Sequence, residues 1–211
     1  MPSLYLNGDK NTIYQDPLKF ISKLDKKKHI VLYYDNPTFG KKIQFWFIMD
    51  GLLKGENCIY VIHEKDNPKS IENEMIDNGI DVKKYSKYRL LKIFTIPDIL
   101  NHPNGVLKGS EEIIDKIFSD LNPNLPFRLV VRMIDKLNTK DQIAANLALE
   151  QYYHSKFEHF NGFIMCHYDV RHNPTNTNGI WVENILENHH SAIFVTENEG
   201  EGIAFDMSAN N

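Results

Sequence analysis

The chain has 211 residues, of which 42% are hydrophobic, and a formal net charge of −4. That length is enough for one domain with its own core. The acidic balance, with a pI near 6.1, argues against a general nucleic-acid or anionic-membrane surface, because such surfaces carry a clustered basic excess. The only cysteines, Cys58 and Cys166, lie in apolar runs and are expected to be buried thiols in a reducing compartment. The sequence shows no signal peptide or membrane-length apolar run, so we expect a soluble, cytoplasmic protein.

Strand-like and helix-like segments alternate along the sequence. Runs of β-branched and aromatic residues indicate buried strands, whereas apolar residues at three- and four-residue spacing indicate helices that face a core. In chain order, the predicted elements are helix 17–28, strand 30–34, helix 41–55, strand 58–62, helix 67–79, strand 89–96, helix 110–121, strand 127–134, helix 139–159, strand 163–167, helix 181–186 and strand 192–196. This alternation predicts an α/β fold, a three-layer α/β/α sandwich around a mostly parallel central sheet.

The segments outside this series carry weaker patterns. Residues 1–16 are polar with scattered apolar side chains, and we expect them to pair at a sheet edge. Residues 97–109 contain several Pro and Gly turn signals, which predict a surface loop or a lid. The apolar group 203–205 could add an edge strand. We therefore divide the chain into an extension and helix packed on the core (1–28), a main domain (29–196) and a tail (197–211).

The sharpest local clue is the loop after strand 30–34, which places Gly40 and Lys41 between a strand and a helix. A phosphate-binding P-loop has this order and the pattern G-x-x-x-x-G-K-[ST]. Here Asp35 stands at the first glycine and Lys42 at the hydroxyl position, so the backbone cradle and the Mg²⁺ ligand are both altered. The pattern indicates a P-loop scaffold that has lost ATP hydrolysis. An ordinary strand-to-helix turn that contains Gly-Lys is an equal alternative.

Polar residues follow several of the predicted strands. Ligands of parallel α/β sheets bind in the crevice beyond the carboxyl ends of the strands, where these residues should gather. Histidine and carboxylate side chains at one edge suit a polar ligand, a metal or acid–base chemistry, and an unperturbed imidazole would make binding change between about pH 5 and 8. The candidate ligand-binding residues are Asp35, Thr38, Gly40, Lys41, His63, Glu64, Asp135, His167, Tyr168 and Asp169. For any single residue a solvated loop is the alternative, so the prediction depends on the cluster.

Three other patterns do not support a catalytic or metal site. Glu150 and His154 are four residues apart on a predicted helix but lack the second His of H-E-x-x-H, so we interpret them as a surface pair. The adjacent His189 and His190 follow a helix end and are interpreted as capping residues. No G-x-S-x-G occurs, and neither cysteine has an identifiable partner. The sequence therefore predicts no catalytic residues and no metal ligands.

Several short motifs taken together resemble a known family. They are HIVLYY at 29–34, GLLKGE at 51–56, CIYV at 58–61, NGID at 78–81 and CHYD at 166–169. Their order and spacing are similar to the MEDS domain, the methanogen and methylotroph sensory domain first described in a dichloromethane-responsive regulator. The similarity covers about residues 29–196. That family in turn resembles the KaiC and RecA P-loop ATPases, which implies a RecA-like core for the main domain.

The resemblance can be carried over only at matching positions. Gly40-Lys41 match the P-loop Gly-Lys, and Glu64 matches the first catalytic glutamate of the KaiC and RecA ATPases, whereas Lys65 replaces the second. Asp135 falls near the acidic end of the Walker B strand. The MEDS pattern has an acidic residue beside a methionine in that strand, and this chain instead has Arg132-Met133, which weakens a ligand role for the strand.

The resemblance implies a stand-alone sensory or regulatory protein on a catalytically degenerate core, and not an enzyme. It would bind a small molecule or a signalling protein. The alternative is a nucleotide-binding protein with weak ATPase or phosphotransfer activity through Lys41, Glu64 and Asp135. ATP with Mg²⁺ is a disfavoured cofactor under this interpretation, and no other cofactor is assigned. We expect no nucleic-acid or membrane partner, and the sequence is compatible with a homo-oligomer.

Overall fold

In the computed structural model, the described residues form one eight-stranded sheet, and helices cover both faces of that sheet. The structure describes residues 12–14, 16–25, 27–172, 180–196 and 202–207. The strands are β1 (Thr12–Tyr14), β2 (His29–Tyr34), β3 (Asn57–His63), β4 (Leu91–Ile96), β5 (Phe127–Val131), β6 (Gly162–Asp169), β7 (Ser191–Val195) and β8 (Gly202–Asp206). The helices are α1 (Pro17–Ser22), α2 (Pro37–Lys54), α3 (Pro68–Asp77), α4 (Val82–Lys87), α5 (Val106–Ser119), α6 (Lys140–Ser155) and α7 (Ile180–Leu186). Within these residues, no helix combines the length and the apolar character that a membrane crossing needs.

The sheet has the strand order β1-β8-β7-β2-β6-β5-β3-β4. Neighbouring strands from β7 to β4 run parallel, whereas β8 pairs antiparallel with both β7 and β1. The predicted α/β/α sandwich with a mostly parallel sheet is therefore confirmed. β1 lies at one edge, as expected for the end of segment 1–16. The strand expected at 203–205 is present as β8, but it is not at the edge, because β1 lies outside it.

The central strands are buried on both faces, which explains their mostly apolar sequences. In β2, Ile30 and Leu32 pack against α1 to α4, whereas Val31 and Tyr33 pack against α5 to α7. The two cores therefore lie on opposite sides of one sheet. Because β2, β6, β5 and β3 are parallel neighbours, their carboxyl ends share one edge, and the loops that leave them are brought together there.

Two helix starts differ from the sequence prediction. Helix α2 begins at Pro37 rather than at residue 41, because Asn36 caps it by accepting a hydrogen bond from the Phe39 N–H and Pro37 fits the first turn. Helix α5 begins at Val106 rather than at Ser110. Ser110 lies inside that helix, where its hydroxyl donates to the carbonyl of Leu107 at 2.7 Å. The predicted loop 97–109 is therefore shorter, and it contains the 3₁₀ turn Ile99–Asn101.

Several other helices and strands were predicted to extend too far. Helix α1 ends at Ser22, α6 ends at Ser155 before a separate 3₁₀ turn at Phe157–His159, and β5 ends at Val131. The short helix α4 was not predicted at all. Arg132 is consequently not an interruption of a strand but the first residue of the loop after β5, at the edge where ligands are expected.

Candidate functional site

A small pocket lies at the carboxyl edge of the sheet, beneath the first turns of α2. We call it the inner pocket, and its volume is about 160 Å³. It is bounded by the ends of β2, β3 and β6, by α2 and α3, and by the residue that follows β5. The polar side chains that line it are Tyr34, Lys41, Gln44, Tyr60, His63, Asp66, Arg132 and His167. Three of these eight, Lys41, His63 and His167, are among the candidate residues that the sequence placed at this edge.

A wider depression adjoins the inner pocket on the side of the β5 and β6 ends. This outer groove has a volume of about 480 Å³ and shares Tyr34 and Arg132 with the inner pocket. Its other charged residues are Lys65, Asp135 and Asp169, with Lys136 at its rim. Arg132 thus lies at the junction of the two spaces, where its charge can act in either.

Arg132 is held in place by groups from two strand ends. Its Nη2 donates to Asp135 Oδ1 at 3.1 Å, and its backbone carbonyl lies 2.9 Å from Nε2 of His63. Lys65 Nζ donates to the other Asp135 oxygen at 2.5 Å. Burial works against ionisation of Asp135, but the Lys65 hydrogen bond and the Arg132 charge hold the pKa of its carboxyl below the ordinary value. One guanidinium atom, Arg132 Nε, is buried and has no hydrogen-bond partner.

The two pocket histidines are neutral at physiological pH. Burial lowers the pKa of His63, and Asp135 and Arg132 act on it in opposite directions. Burial also lowers the pKa of His167 well below its ordinary value, and the nearby positive charge of Arg132 lowers it further. His167 Nδ1 lies 3.4 Å from the hydroxyl of Tyr34. The titration expected between pH 5 and 8 is therefore displaced to more acidic values, because burial disfavours the charged imidazole.

The lysine of the Gly-Lys pair is already occupied by an acidic partner. Lys41 Nζ donates to Oε2 of Glu74 on α3, and the Lys41 side chain is 40% exposed. A P-loop lysine instead reaches the phosphates of the nucleotide. Glu74 and Lys41 also line a separate surface groove between α2 and α3, together with Thr38.

The backbone amides of Phe39 and Gly40 are engaged in the first turn of α2. Only Asp35 and Asn36 separate β2 from α2, and all of residues 34–41 are described. The Phe39 N–H is used by the cap, and the Gly40 N–H donates to the carbonyl of Asn36 at 2.8 Å, as in any helix. A Cβ on Gly40 would lie 2.5 Å from the Tyr34 ring, so the glycine allows α2 to pack on that ring.

Some of the remaining candidate residues line the outer groove, and others line neither space. Asp135, Tyr168 and Asp169 line the outer groove, whereas Asp35, Gly40 and Glu64 line neither it nor the inner pocket. The hydroxyl of Tyr168 lies on the other face of the sheet, where it donates to Glu150 and accepts from Asn146 at 2.9 Å. Asp35 keeps one buried oxygen, Oδ1, without a hydrogen-bond partner.

A second polar cluster lies on the opposite face of the sheet. We call His29, Glu150, Cys166 and His189 the buried quartet, because all four side chains are buried and their donor atoms lie within 4.8 Å of one another. The prediction of a Glu150–His154 surface pair is wrong, since Glu150 is buried and its Oε2 lies 3.5 Å from His29 Nε2 and from His189 Nε2. The capping prediction for His189 is confirmed, because its Nδ1 lies 2.6 Å from the carbonyl of Ile185 in α7.

Comparisons with known proteins agree with this fold. The sequence matches the family MEDS, described as the methanogen/methylotroph, DcmR sensory domain, over residues 28–189. Among solved structures, a KaiC-like protein from the hyperthermophilic archaeon Pyrococcus horikoshii OT3 is similar, with a TM-score of 0.56 over 85% of this chain and 76% of that chain. The two sequences are 17% identical, so this likeness shows the fold alone. No curated protein sequence matches this chain.

Proposed function

The chain belongs to the MEDS family of sensory domains, and we propose that it is a sensory or regulatory protein that recognises a small anionic or polar molecule in the inner pocket. The family supports the sensory role, and the KaiC-like fold supplies the edge at which such sheets bind ligands. The choice of ligand class rests on the pocket itself.

The observation that carries the proposal is the unpartnered Nε of Arg132. Buried donors almost always have a hydrogen-bond partner, and leaving one unpaired costs about 1–3 kcal/mol or more when the group is charged. Arg132 is fixed beside the pocket by Asp135, so it cannot turn away without breaking that ion pair. A carboxylate or another oxyanion in the pocket would accept from this donor.

The size of the pocket favours a small molecule. Sites for drug-sized ligands occupy about 300–1,000 Å³, whereas the inner pocket has about 160 Å³. A molecule of only a few non-hydrogen atoms fits that space. Its polar end would meet Arg132 and the hydroxyl of Tyr34, and its remainder would contact Val61, Ile62 or Ile71.

The same geometry weighs against the nucleotide-binding alternative. Phosphoryl transfer depends on backbone donors, a lysine and a Mg²⁺ ligand that together position the phosphates. Here the first amides of α2 are used within the helix, Lys41 is paired with Glu74, and Lys42 offers no hydroxyl. We therefore propose that the core is catalytically degenerate.

Native mass spectrometry of the purified protein tests the proposal. We expect a retained small molecule in the wild type, lost in Arg132→Met and kept in Arg171→Met, an arginine that lies outside the inner pocket. If the wild type is empty, saturation-transfer spectra with formate, acetate and methylphosphonate are the second readout. A molecule held equally by wild type and Arg132→Met would show that the inner pocket is not the binding site. The native mass spectra also give the number of subunits.

A further inference from the structure

The buried quartet joins elements that are distant in sequence. His29 begins β2, Cys166 lies in the neighbouring strand β6, Glu150 lies near the end of α6, and His189 follows α7. All four lie on the face of the sheet covered by α5 to α7, across the sheet from the inner pocket. Any ligand of the quartet would therefore connect two helical segments to the two central strands, independently of the proposed sensory site.

Four of the six donor–donor distances within the quartet match a tetrahedral zinc shell, and the other two are at most 4.8 Å. Ligand atoms at the usual Zn–N, Zn–O and Zn–S distances stand about 3.3–3.8 Å apart along the edges of a tetrahedron. His29 Nε2 lies 3.3 Å from Cys166 Sγ and 3.5 Å from Glu150 Oε2. Glu150 Oε2 lies 3.5 Å from His189 Nε2 and 3.6 Å from Cys166 Sγ. Every one of these pairs falls within the expected range.

The surroundings provide an independent indication of a missing ligand. His189 Nε2 is buried without a hydrogen-bond partner, and its side chain is fully shielded from solvent. The other ring nitrogen faces the carbonyl of Ile185 at 2.6 Å, which directs Nε2 into the quartet. Zinc-bound histidines usually have this second contact, because it fixes the tautomer and the ring orientation. Tyr168 similarly donates to Glu150 Oε1 and leaves Oε2 for the quartet.

Charge also favours a divalent ion in this place. Without an ion, burial of the four side chains disfavours their charged forms. A Zn²⁺ ion would displace one proton from the Glu150 carboxyl and one from the Cys166 thiol. The resulting carboxylate and thiolate balance the two positive charges, and the two imidazoles stay neutral. The four protein donors are enough for a tetrahedral shell, and the adjoining cavity, about 30 Å³, has room for only about one water.

From this geometry we infer that His29, Glu150, Cys166 and His189 form a closed, structural zinc site that fastens α6 and the segment after α7 to the central strands. This site goes beyond the proposed sensory function and does not depend on it. Its ion would enter during folding, since the four donor groups are buried in the folded chain.

Cobalt substitution under anaerobic conditions tests the site. Co²⁺ is offered to the chelator-treated full chain, both folded and during refolding, and absorption is followed. We expect one equivalent of Co²⁺ per chain, with visible d–d bands of tetrahedral cobalt and a thiolate-to-cobalt charge-transfer band, all removed by Zn²⁺. Cys166→Ser should lose the charge-transfer band, and His189→Gln should weaken binding at least about tenfold.

Two matched variants serve as controls for the test. Cys58→Ser changes the other buried thiol, and His154→Gln changes a histidine whose ring lies 6.3 Å from that of His29 but outside the quartet. Both should keep the wild-type spectrum. A wild-type chain with no charge-transfer band under either condition would overturn the inference, and so would a band that survives in Cys166→Ser. The missing charge-transfer band is measured on the wild-type chain alone, so it would overturn the inference even if a variant failed to fold.

Discussion

A buried ion cluster around Arg128 gives the most quantitative prediction about the fold. Arg128, in β5, is fully buried, and its Nε donates to Glu56 Oε2 at 2.6 Å. Its Nη2 lies 2.7 Å from Asp50 Oδ2, and Nη1 donates to the carbonyl of Phe47 at 3.1 Å. Asp50 also pairs with Lys54, at 2.7 Å, whereas Glu56 has no second cation among the salt bridges of the described residues. Removal of the arginine would therefore leave Glu56 buried and uncompensated.

We expect Arg128→Met to lower the free energy of unfolding by about 3–5 kcal/mol, because breaking a buried pair at one partner leaves an isolated charge. That is a large part of the about 5–15 kcal/mol typical of a domain. Methionine fills most of the same volume, so the loss would report the charge rather than a cavity. Urea unfolding followed by circular dichroism measures it, with an unchanged m-value as the sign of a comparable unfolded state.

The double variant Arg128→Met/Glu56→Gln separates charge from packing. Since it removes the stranded carboxylate as well, we expect it to be more stable than Arg128→Met alone by about 1–3 kcal/mol. The exposed Arg89→Met is the matched control and should change stability by less than about 0.5 kcal/mol. A cost below about 1 kcal/mol for Arg128→Met, or strictly additive effects of the two substitutions, would refute the reasoning.

Further expectations follow from the site and the fold. ATP turnover should equal background in wild type and in Lys41→Ala, and turnover that Lys41→Ala abolishes would contradict the degenerate core. Asn36→Ala should cost about 1 kcal/mol in urea unfolding, because it removes the cap of α2. Cys58 should resist thiol reagents until denaturant is added, since burial raises the pKa of its thiol; rapid labelling of the native chain would disprove this. Burial lowers the pKa of His167, so as pH falls below 6.5 the unfolded chain binds a proton at this residue before the folded chain does. The free energy of unfolding should therefore fall more in wild type than in His167→Gln. Parallel pH profiles of the two proteins would show that His167 contributes nothing.

The layered fold was predictable because its signals are local. Apart from His29, Asn57 and His63 at their ends, β2 and β3 are apolar, and such a sequence is typical of a strand covered on both faces. The first residues of the helices were harder to predict, because more than one possible start signal lay close together in the sequence. The loop after β2 was predicted to extend to Gly40 although Asn36-Pro37 is a strong helix start, and α5 was predicted to begin at Ser110 although its N-cap is Gly105.

The position of the candidate site in the fold could be predicted from the sequence, but only some of its residues could. Parallel topology brings His63 and His167 to one edge regardless of the details of the loops. Arg132 was discounted because β5 was predicted too long, which placed the arginine inside a strand. Its position beside Met133, where the family has an acidic residue, was the available signal.

The buried quartet could not be predicted from spacing. His29 and Cys166 come together only because β2 pairs with β6, and Glu150 reaches them only because α6 packs on that pair. Short-range metal motifs depend on ligands a few residues apart, and here no two ligands are that close. The need for glycine at position 51 of α2 could not be predicted from the sequence either. A Cβ at this position would lie 2.6 Å from Cδ of Arg128, which is distant in sequence.

Amide chemical-shift mapping most directly tests the central claim, that the inner pocket binds a small anionic or polar molecule. The ¹⁵N-labelled chain is titrated with formate, acetate, methylphosphonate and any molecule that the native mass spectra reveal, in wild type, Arg132→Met and Arg171→Met. We predict saturable shifts around Tyr34, His63, Arg132 and His167, lost in Arg132→Met and kept in Arg171→Met. Shifts confined to the amino edge of the sheet, or binding that Arg132→Met leaves unchanged, would contradict the claim and place recognition on another surface.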